Sequence, residues 1–351
     1  MTQKPPKIWI LASPHTGDNT QLFAVAESLG WPFEVKHLNY NPANVLMRIM
    51  PISTLRGLDV KSRQQISEPY PELIICAGHA TEAIALWLKK KAKSKLVYVG
   101  TPQAALDVFD LIITTPQYGL PRRANILHLD LPMHKIVPEK LRDATELWQK
   151  KLNRLKRPYT AVVLGGASGP YSFDGQAALR LAKLLENQSG SLLISTSART
   201  PLATATALQN ALTKPNYFHH WSKGQSENPF LAFLGLADQF VVTADSISML
   251  SEAIATGKPV AMFDTENGAY AMNDGGMKIG LWGRTFYATL FRFAMRFGPR
   301  KWTRDLRTVH HQLQDTAQAH WLGSSVPTFK PRQKKPAVEQ ATARIRNLFK
   351  L

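Results

Sequence analysis

The chain is 351 residues long with 44% hydrophobic and 19% charged residues, which excludes a disordered composition and supplies enough apolar material for two cores of ordinary size. Forty-three Lys and Arg against 25 Asp and Glu leave a net charge of +18, which favours an anionic partner. A single cysteine, Cys76, excludes an intrachain disulfide and a cysteine-based zinc site, and no run of about 20 apolar residues is present to span a membrane.

The N-terminus passes from Lys4-Pro5-Pro6-Lys7 straight into a predicted strand over 8–12, with no signal-peptide core and no Arg/Ser-rich transit segment. Further apolar runs predict strands over 73–77, 96–99, 111–114, 160–164, 191–196, 239–243 and 259–263. Amphipathic stretches predict helices over 20–29, 81–93, 175–187, 203–211 and 248–255. Continuous apolar strands need cover on both faces, and helices between them are what parallel crossovers require, so the fold class is α/β. The charged, helix-prone stretch 139–157 ends at Pro158, and a second strand–turn–helix series begins at Thr160. That predicts two Rossmann-like domains, 1–157 and 158–351. A last helix over 337–351 follows a Lys- and Pro-rich stretch and is expected to pack back toward the N-terminal domain.

In open α/β sheets ligands sit beyond the carboxyl ends of the strands, where loops lead into helix N-termini. Four such loops stand out. In Ser13-Pro14-His15-Thr16-Gly17-Asp18-Asn19-Thr20-Gln21, Gly17 permits a tight turn. Asp18 there either caps the helix or, like His15, acts as a general base toward an incoming hydroxyl. In the loop after 160–164, Gly165 and Gly166 let backbone N–H groups approach an anion, with Ser168 as a further donor. A plain tight turn uses glycines in the same way, and the spacing matches neither GxGxxG nor a Lys-containing P-loop.

The third loop, Ser195-Thr196-Ser197-Ala198-Arg199-Thr200-Pro201, brings Ser197, Thr200 and the Arg199 fork to a strand end. The fork suits a phosphate or carboxylate; the plain alternative is a Thr200 cap beside a solvated arginine. The fourth loop runs Thr243-Ala244-Asp245-Ser246-Ile247-Ser248-Met249-Leu250-Ser251-Glu252. Ser246, Ser248, Ser251 and the backbone at Met249 place hydroxyls and N–H donors at a helix start, a natural diphosphate site. Glu252 either accepts from the vicinal hydroxyls of a ribose or serves as a capping-box partner of the Ser248 or Met249 backbone.

At these loops the sequence resembles GT-B glycosyltransferases, in which two Rossmann-like domains face each other across a cleft and the donor lies mainly on the C-terminal one. The stretch 243–260 is similar to the donor-site strand–helix of the lipid-linked peptidoglycan N-acetylglucosaminyltransferases, where the Glu of a Ser-Glu pair binds ribose; by position that role falls on Glu252. Gly165–Gly169 is similar to their glycine-rich diphosphate loop, and Gly17 stands in the place of their acceptor-side loop. Over nearly the whole chain, the motifs at 17–21, 165–168, 196–201 and 243–252 together resemble the plant "elongated mitochondria" fission-factor family and its bacterial members. A short-chain nucleotide-sugar epimerase is excluded, because none of the nine tyrosines is followed four residues later by Lys.

Residues 284–307 carry Arg284, Arg292, Arg296, Arg300, Lys301, Arg304 and Arg307 against Asp305 alone, with Phe286, Leu290, Phe293 and Phe297 at helical spacing. Five further lysines crowd 89–95. Such a basic aromatic stretch suits an anionic lipid surface, although an apolar face packed on the core beneath solvated arginines also fits it. No nucleic-acid motif accompanies the charge, which argues against nucleic acid as the partner. Together these readings imply a glycosyltransferase that needs neither metal nor cofactor, with a nucleotide diphosphate-sugar as substrate. Its acceptor would be lipid-linked or part of the cell envelope, and the protein would be cytoplasmic and peripheral at the inner membrane. A non-catalytic scaffold of the same form is the alternative, and an epimerase of GT-B form a third.

Overall fold

The structure, a computed structural model, describes residues 5–41, 53–166, 168, 171–266, 271–272, 293, 304–325 and 335–349. The chain divides into two compact units: the first ends at Lys135 and takes in the C-terminal helix, and the second begins at Ile136.

The first unit runs β1 (Ile8–Leu11), α1 (Thr16–Leu29), β2 (Phe33–Lys36), α2 (Val60–Gln64), β3 (Leu73–Ala77), α3 (His79–Ala92), β4 (Lys95–Val99), β5 (Leu111–Thr114) and β6 (Ile126–His128). Its sheet has the order β2-β1-β3-β4-β5-β6, with every pairing parallel. Alternation along each strand feeds two cores. Ile8, Ile10, Leu73, Ile75, Val97 and Val99 meet α1, whereas Trp9, Leu11, Ile74, Cys76, Leu96 and Tyr98 meet Ile84 and Leu88 of α3. Apolar runs with no polar alternation follow directly from burial on both faces.

The second unit runs α4 (Pro138–Gln149), β7 (Tyr159–Val163), α5 (Gly175–Leu185), β8 (Ser191–Ser195), α6 (Leu202–Ala211), β9 (Asn216–His219), α7 (Phe230–Leu236), β10 (Gln239–Thr243), α8 (Ile247–Ala255), β11 (Val260–Phe263), α9 (Arg307–Asp315) and β12 (His320–Trp321). Its parallel sheet has the order β12-β11-β10-β7-β8-β9. Asp174 starts α5 by accepting the Ala177 N–H at 2.9 Å, and Ala177, Ala178, Leu181 and Leu185 pack on Val162, Leu192 and Ile194. The last helix, α10 (Ala337–Asn347), belongs to the first unit, where Ala341 and Ile345 are buried against the α1 side of the sheet.

The units part at 135/136, ahead of the division at 157 that Pro158 suggests. The cause is α4. Trp148, 4% exposed, makes edge contacts with Tyr217 at 5.8 Å and Phe233 at 6.5 Å, and α4 sits so close to α7 that a Cβ on Gly235 would overlap the Thr145 hydroxyl. Each sheet has one point where its connections reverse direction: between β1 and β3 in the first, between β7 and β10 in the second. In open α/β sheets ligands bind beside such a point, outside the carboxyl ends of the strands.

Candidate functional site

In the second unit the loops after β7 and β10 are tied together. Gly165 N–H donates to Thr243 Oγ1 at 2.7 Å, and Gly166 N–H donates to Asp245 Oδ2 at 3.0 Å. Neither position admits a side chain. A Cβ on Gly165 would stand 2.5 Å from both Asp245 carboxylate oxygens, and one on Gly166 would overlap the Arg199 carbonyl. The β8–α6 loop closes the same frame. Ser197 Oγ donates to Gly165 O at 3.1 Å, the Thr200 hydroxyl reaches the carbonyls of Gly165 and Leu164, and Arg199 N–H donates to Ser197 Oγ at 3.3 Å. Arg199 Nη2 lies 3.3 Å from Asp245 Oδ2, the carboxylate fully buried and the guanidinium 42% exposed. Ser168 is buried and its N–H donates to Tyr171 O at 3.0 Å. Gly165, Gly166, Ser197 and Thr200 thus spend these donors on building the loop, with Asp245, which the sequence did not single out, at its centre.

The start of α8 is different. Ser246 is its N-cap residue, buried, and makes no side-chain cap. Among the described residues no acceptor meets the N–H groups of Ile247, Ser248 or Met249, so the positive end of the helix is open. Ser248, Met249 and Glu252 share one half-buried helix face, while Ser251 turns inward. Glu252 makes no capping bond, and burial alone raises its carboxyl to about 7. A desolvated carboxylate without a donor is costly, and a ligand presenting hydroxyls would relieve that cost.

Behind this helix start stands His310, on α9. It is fully buried, its Nε2–H donates to Ala244 O at 2.8 Å, and Trp321 lies edge-on at 5.3 Å. Burial holds its pKa down at about 4, so the ring is neutral and Nδ1 carries an unshared pair with no partner among the described residues. A lone histidine in a stretch for which the sequence predicts no element gives no signal of such a role.

In the first unit, β1 leads into a knotted turn: Ser13 N–H donates to Asn19 Oδ1 at 2.8 Å, Asn19 Nδ2 donates to Ser13 O at 2.8 Å, and Ser13 Oγ donates to Asp18 Oδ2 at 2.7 Å. Asp18 does not cap α1, whose N-cap residue is the exposed His15. Gly78, with φ +78°, brings the β3–α3 turn so close that a Cβ would lie 2.9 Å from Ser13 Oγ.

Of the basic aromatic segment, Arg284, Arg292, Arg296, Arg300 and Lys301 lie outside the described residues. Arg304 is described and hydrogen-bonds Tyr118, whose phenol burial raises. Among the described residues no group of three His, Cys, Asp or Glu stands together to hold a metal, and no helix is long and apolar enough to cross a membrane.

Among solved structures, a UDP-glucosyltransferase of Polygonum tinctorium resembles this one with a TM-score of 0.51 at 13% identity, covering all of both chains. That likeness shows the fold, α/β with two Rossmann-like units of GT-B type. An uncharacterised protein of Rickettsia prowazekii is 29% identical over 301 residues, covering 74% of this chain and 84% of its own. The mitochondrial fission protein ELM1 of Arabidopsis thaliana is 28% identical over 247 residues, covering 63% of this chain; this chain spans only 58% of that protein. Residues 16–276, well over half of the sequence, match the family described as mitochondrial fission ELM1, and the chain belongs to that family.

Proposed function

We propose that the protein is a glycosyltransferase that binds a nucleotide diphosphate-sugar at the carboxyl ends of β7 and β10. The observation that carries this reading is the open N-terminus of α8 with Glu252 on the face of the same helix. Among the described residues these N–H groups meet no acceptor and the carboxylate no donor; the former, with the helix dipole, suit a diphosphate and the latter the two hydroxyls of a ribose. Arg199, half-exposed, would turn from Asp245 toward the phosphates.

In the reaction the acceptor oxygen bonds to the anomeric carbon, the bond from that carbon to the diphosphate breaks, and the nucleoside diphosphate leaves. Helix amides and Arg199 would stabilise the leaving group's charge without a metal. Asp18 and His15 are the candidates the sequence raises for the base that takes the acceptor proton. A chain of net charge +18 suits an acceptor on an anionic surface, and we take that acceptor to be lipid-linked or part of the cell envelope, met at the cytoplasmic face of the membrane.

Calorimetry with UDP, GDP and ADP and their sugars, in EDTA, tests the reading. Binding of one nucleotide family that weakens at least tenfold in Glu252→Ala is the expected result; no binding to any by folded protein overturns it. One observation favours a second reading, a non-catalytic scaffold. The loop donors at Gly165, Gly166, Ser197 and Thr200 are used internally, and Arg199 already faces a carboxylate. On that reading Glu252→Ala leaves the cellular role intact.

A further inference from the structure

All six strands of the first sheet run parallel, so their amino ends lie together on one face, opposite the loops that follow the strands. Basic side chains collect on that face from parts of the chain far apart in sequence. The last turn of α3 and the turn into β4 expose Lys90, Lys91 and Lys93. The turn into β6 exposes Arg122 and Arg123, and the last turn of α10 exposes Arg344 and Arg346. Two hydrogen bonds hold α10 at this end: Arg344 donates to Ala124 O, just ahead of β6, and Arg346 Nη2 donates to Leu29 O, at the end of α1, at 3.1 Å. Among the described residues none of these lysines and arginines has a carboxylate within ion-pair distance. Beside them Lys89 and Lys95 share the single carboxylate of Asp110. The loops entering β3 and β5 bring Glu68, Glu72 and Asp107 to the same end, too few to balance the excess. Aromatic rings gather at the β2 side of the face. Phe33, the first residue of β2, is 36% exposed, and the half-buried Trp31 meets Phe349 edge-on at 5.8 Å.

We propose that this face of the first unit rests on an anionic lipid bilayer, with the basic side chains at the headgroups and Phe33, Trp31 and Phe349 at headgroup depth beside them. The inference gives the membrane contact a surface of its own and depends neither on glycosyl transfer nor on residues 284–307. Neighbouring strands lie about 4.8 Å apart, so β2 and β6 stand roughly 24 Å apart across the sheet, and charge spread over that span fits an extended anionic plane better than one small anion. The negative end of a helix favours basic residues, which accounts for the lysines of α3. It accounts neither for Arg122 and Arg123, in the irregular turn ahead of β6, nor for the exposed ring of Phe33. A single-stranded nucleic acid calls for aromatics interleaved with the charge, to stack its bases. Here the rings stand to one side and the charge spreads over the rest, which is the arrangement of an interfacial anchor.

The test is flotation of the full chain with vesicles of phosphatidylcholine alone or with about one-third phosphatidylglycerol. Binding to the anionic vesicles only is expected, and it should weaken as salt rises from about 0.1 M to about 0.5 M. The fourfold variant Lys90→Gln, Lys91→Gln, Arg122→Gln, Arg123→Gln should bind about 100-fold more weakly or worse, at about fivefold for each charge removed. Phe33→Ser should weaken binding by a similar factor at both salt concentrations, because apolar burial is not screened. All five substituted side chains are exposed, so the circular dichroism of the variants should match that of the wild type. No binding to the anionic vesicles, equal binding to both kinds, or wild-type binding by the fourfold variant overturns the proposal. Loss of binding in Arg292→Gln with Arg296→Gln, while the fourfold variant binds like the wild type, moves the contact to 284–307 and overturns it as well. So does binding to an RNA or DNA oligonucleotide without binding to vesicles. Calorimetry with nucleotide sugars reads the transferase proposal separately: its failure leaves this face untouched, and failure of the flotation leaves nucleotide binding untouched.

Discussion

Asp245 occupies the space that a side chain on Gly165 would need. A Cβ there would stand 2.5 Å from both of its carboxylate oxygens, and one of those oxygens takes the next N–H, that of Gly166, at 3.0 Å. Seventy-nine residues separate the carboxylate from the amide it receives, so the glycine pair is required by the β10–α8 loop as much as by its own turn.

Gly165→Ala is therefore expected to force Asp245 off Gly166, at a cost of roughly 1–3 kcal/mol read as a lower midpoint in urea. Asp245→Asn keeps the shape and should cost less. An alanine at 165 with wild-type stability would show that the carboxylate is not fixed there.

Glu252 predicts two pH effects of opposite use. Its folded-state pKa of about 7 exceeds the ordinary value of 4.5, so the folded protein binds more protons than the unfolded chain and loses stability as pH rises from 4.5 through 7. The side chain keeps some solvent contact, so Glu252→Gln should stabilise by about 1–2 kcal/mol at pH 8 and by little at pH 4.5, read by urea melts at the two pH values. Ribose binding needs the ionised form. Affinity for a ribonucleotide should accordingly rise through pH 7, and a 2′,3′-dideoxy nucleotide should show no such rise. Flat affinity for both would remove the ribose role.

His310 acts in the other direction. Burial lowers it from 6.5 to about 4, so the unfolded chain takes up the proton first, and this contribution to stability is complete above pH 6.5 and lost as pH falls toward 4. The full span is roughly 3 kcal/mol. Burial also lowers His134, His219 and His320, so acid sensitivity is shared, and the difference between wild type and His310→Leu isolates this residue. Leucine should reduce the pH slope between 6.5 and 4, even if it lowers stability at pH 8 by leaving the Ala244 carbonyl without its donor. Parallel pH curves for the two proteins would contradict the buried neutral ring.

The strands divide cleanly into those legible from sequence and those not. Each strand with a neighbour on both sides, β1, β3, β4 and β5 in one sheet and β7, β8, β10 and β11 in the other, coincides with an apolar run. The four that escape, β2, β6, β9 and β12, are the four sheet edges. Phe33–Lys36 carries Glu34 and Lys36, and all four residues of Asn216–His219 are only half-buried. An edge strand has one neighbour and less cover, so its sequence lacks the continuous apolar signal. The site shows the same limit. Glu252, Ser248 and the glycine pair stand out by local spacing, whereas Asp245 and His310 act through partners 79 and 66 residues away and carry no local mark.

The place of α4 also escapes a local reading, because Pro158 marks a break in the chain while Trp148 decides the packing. Trp148 is buried against Tyr217 and Phe233, and Gly235 lets the two helices meet closely. Trp148→Ala should cost about 3–5 kcal/mol, and the loss should fall on one unit only. Hydrogen exchange resolves it: amides of β7, β8 and β10 should lose protection by about two orders of magnitude or more, while those of β1, β3 and β4 keep theirs. If the first sheet loosens equally, α4 belongs to both units energetically and the boundary at 135/136 has no thermodynamic meaning. Protection unchanged in both would mean that the tryptophan contributes little, despite its burial.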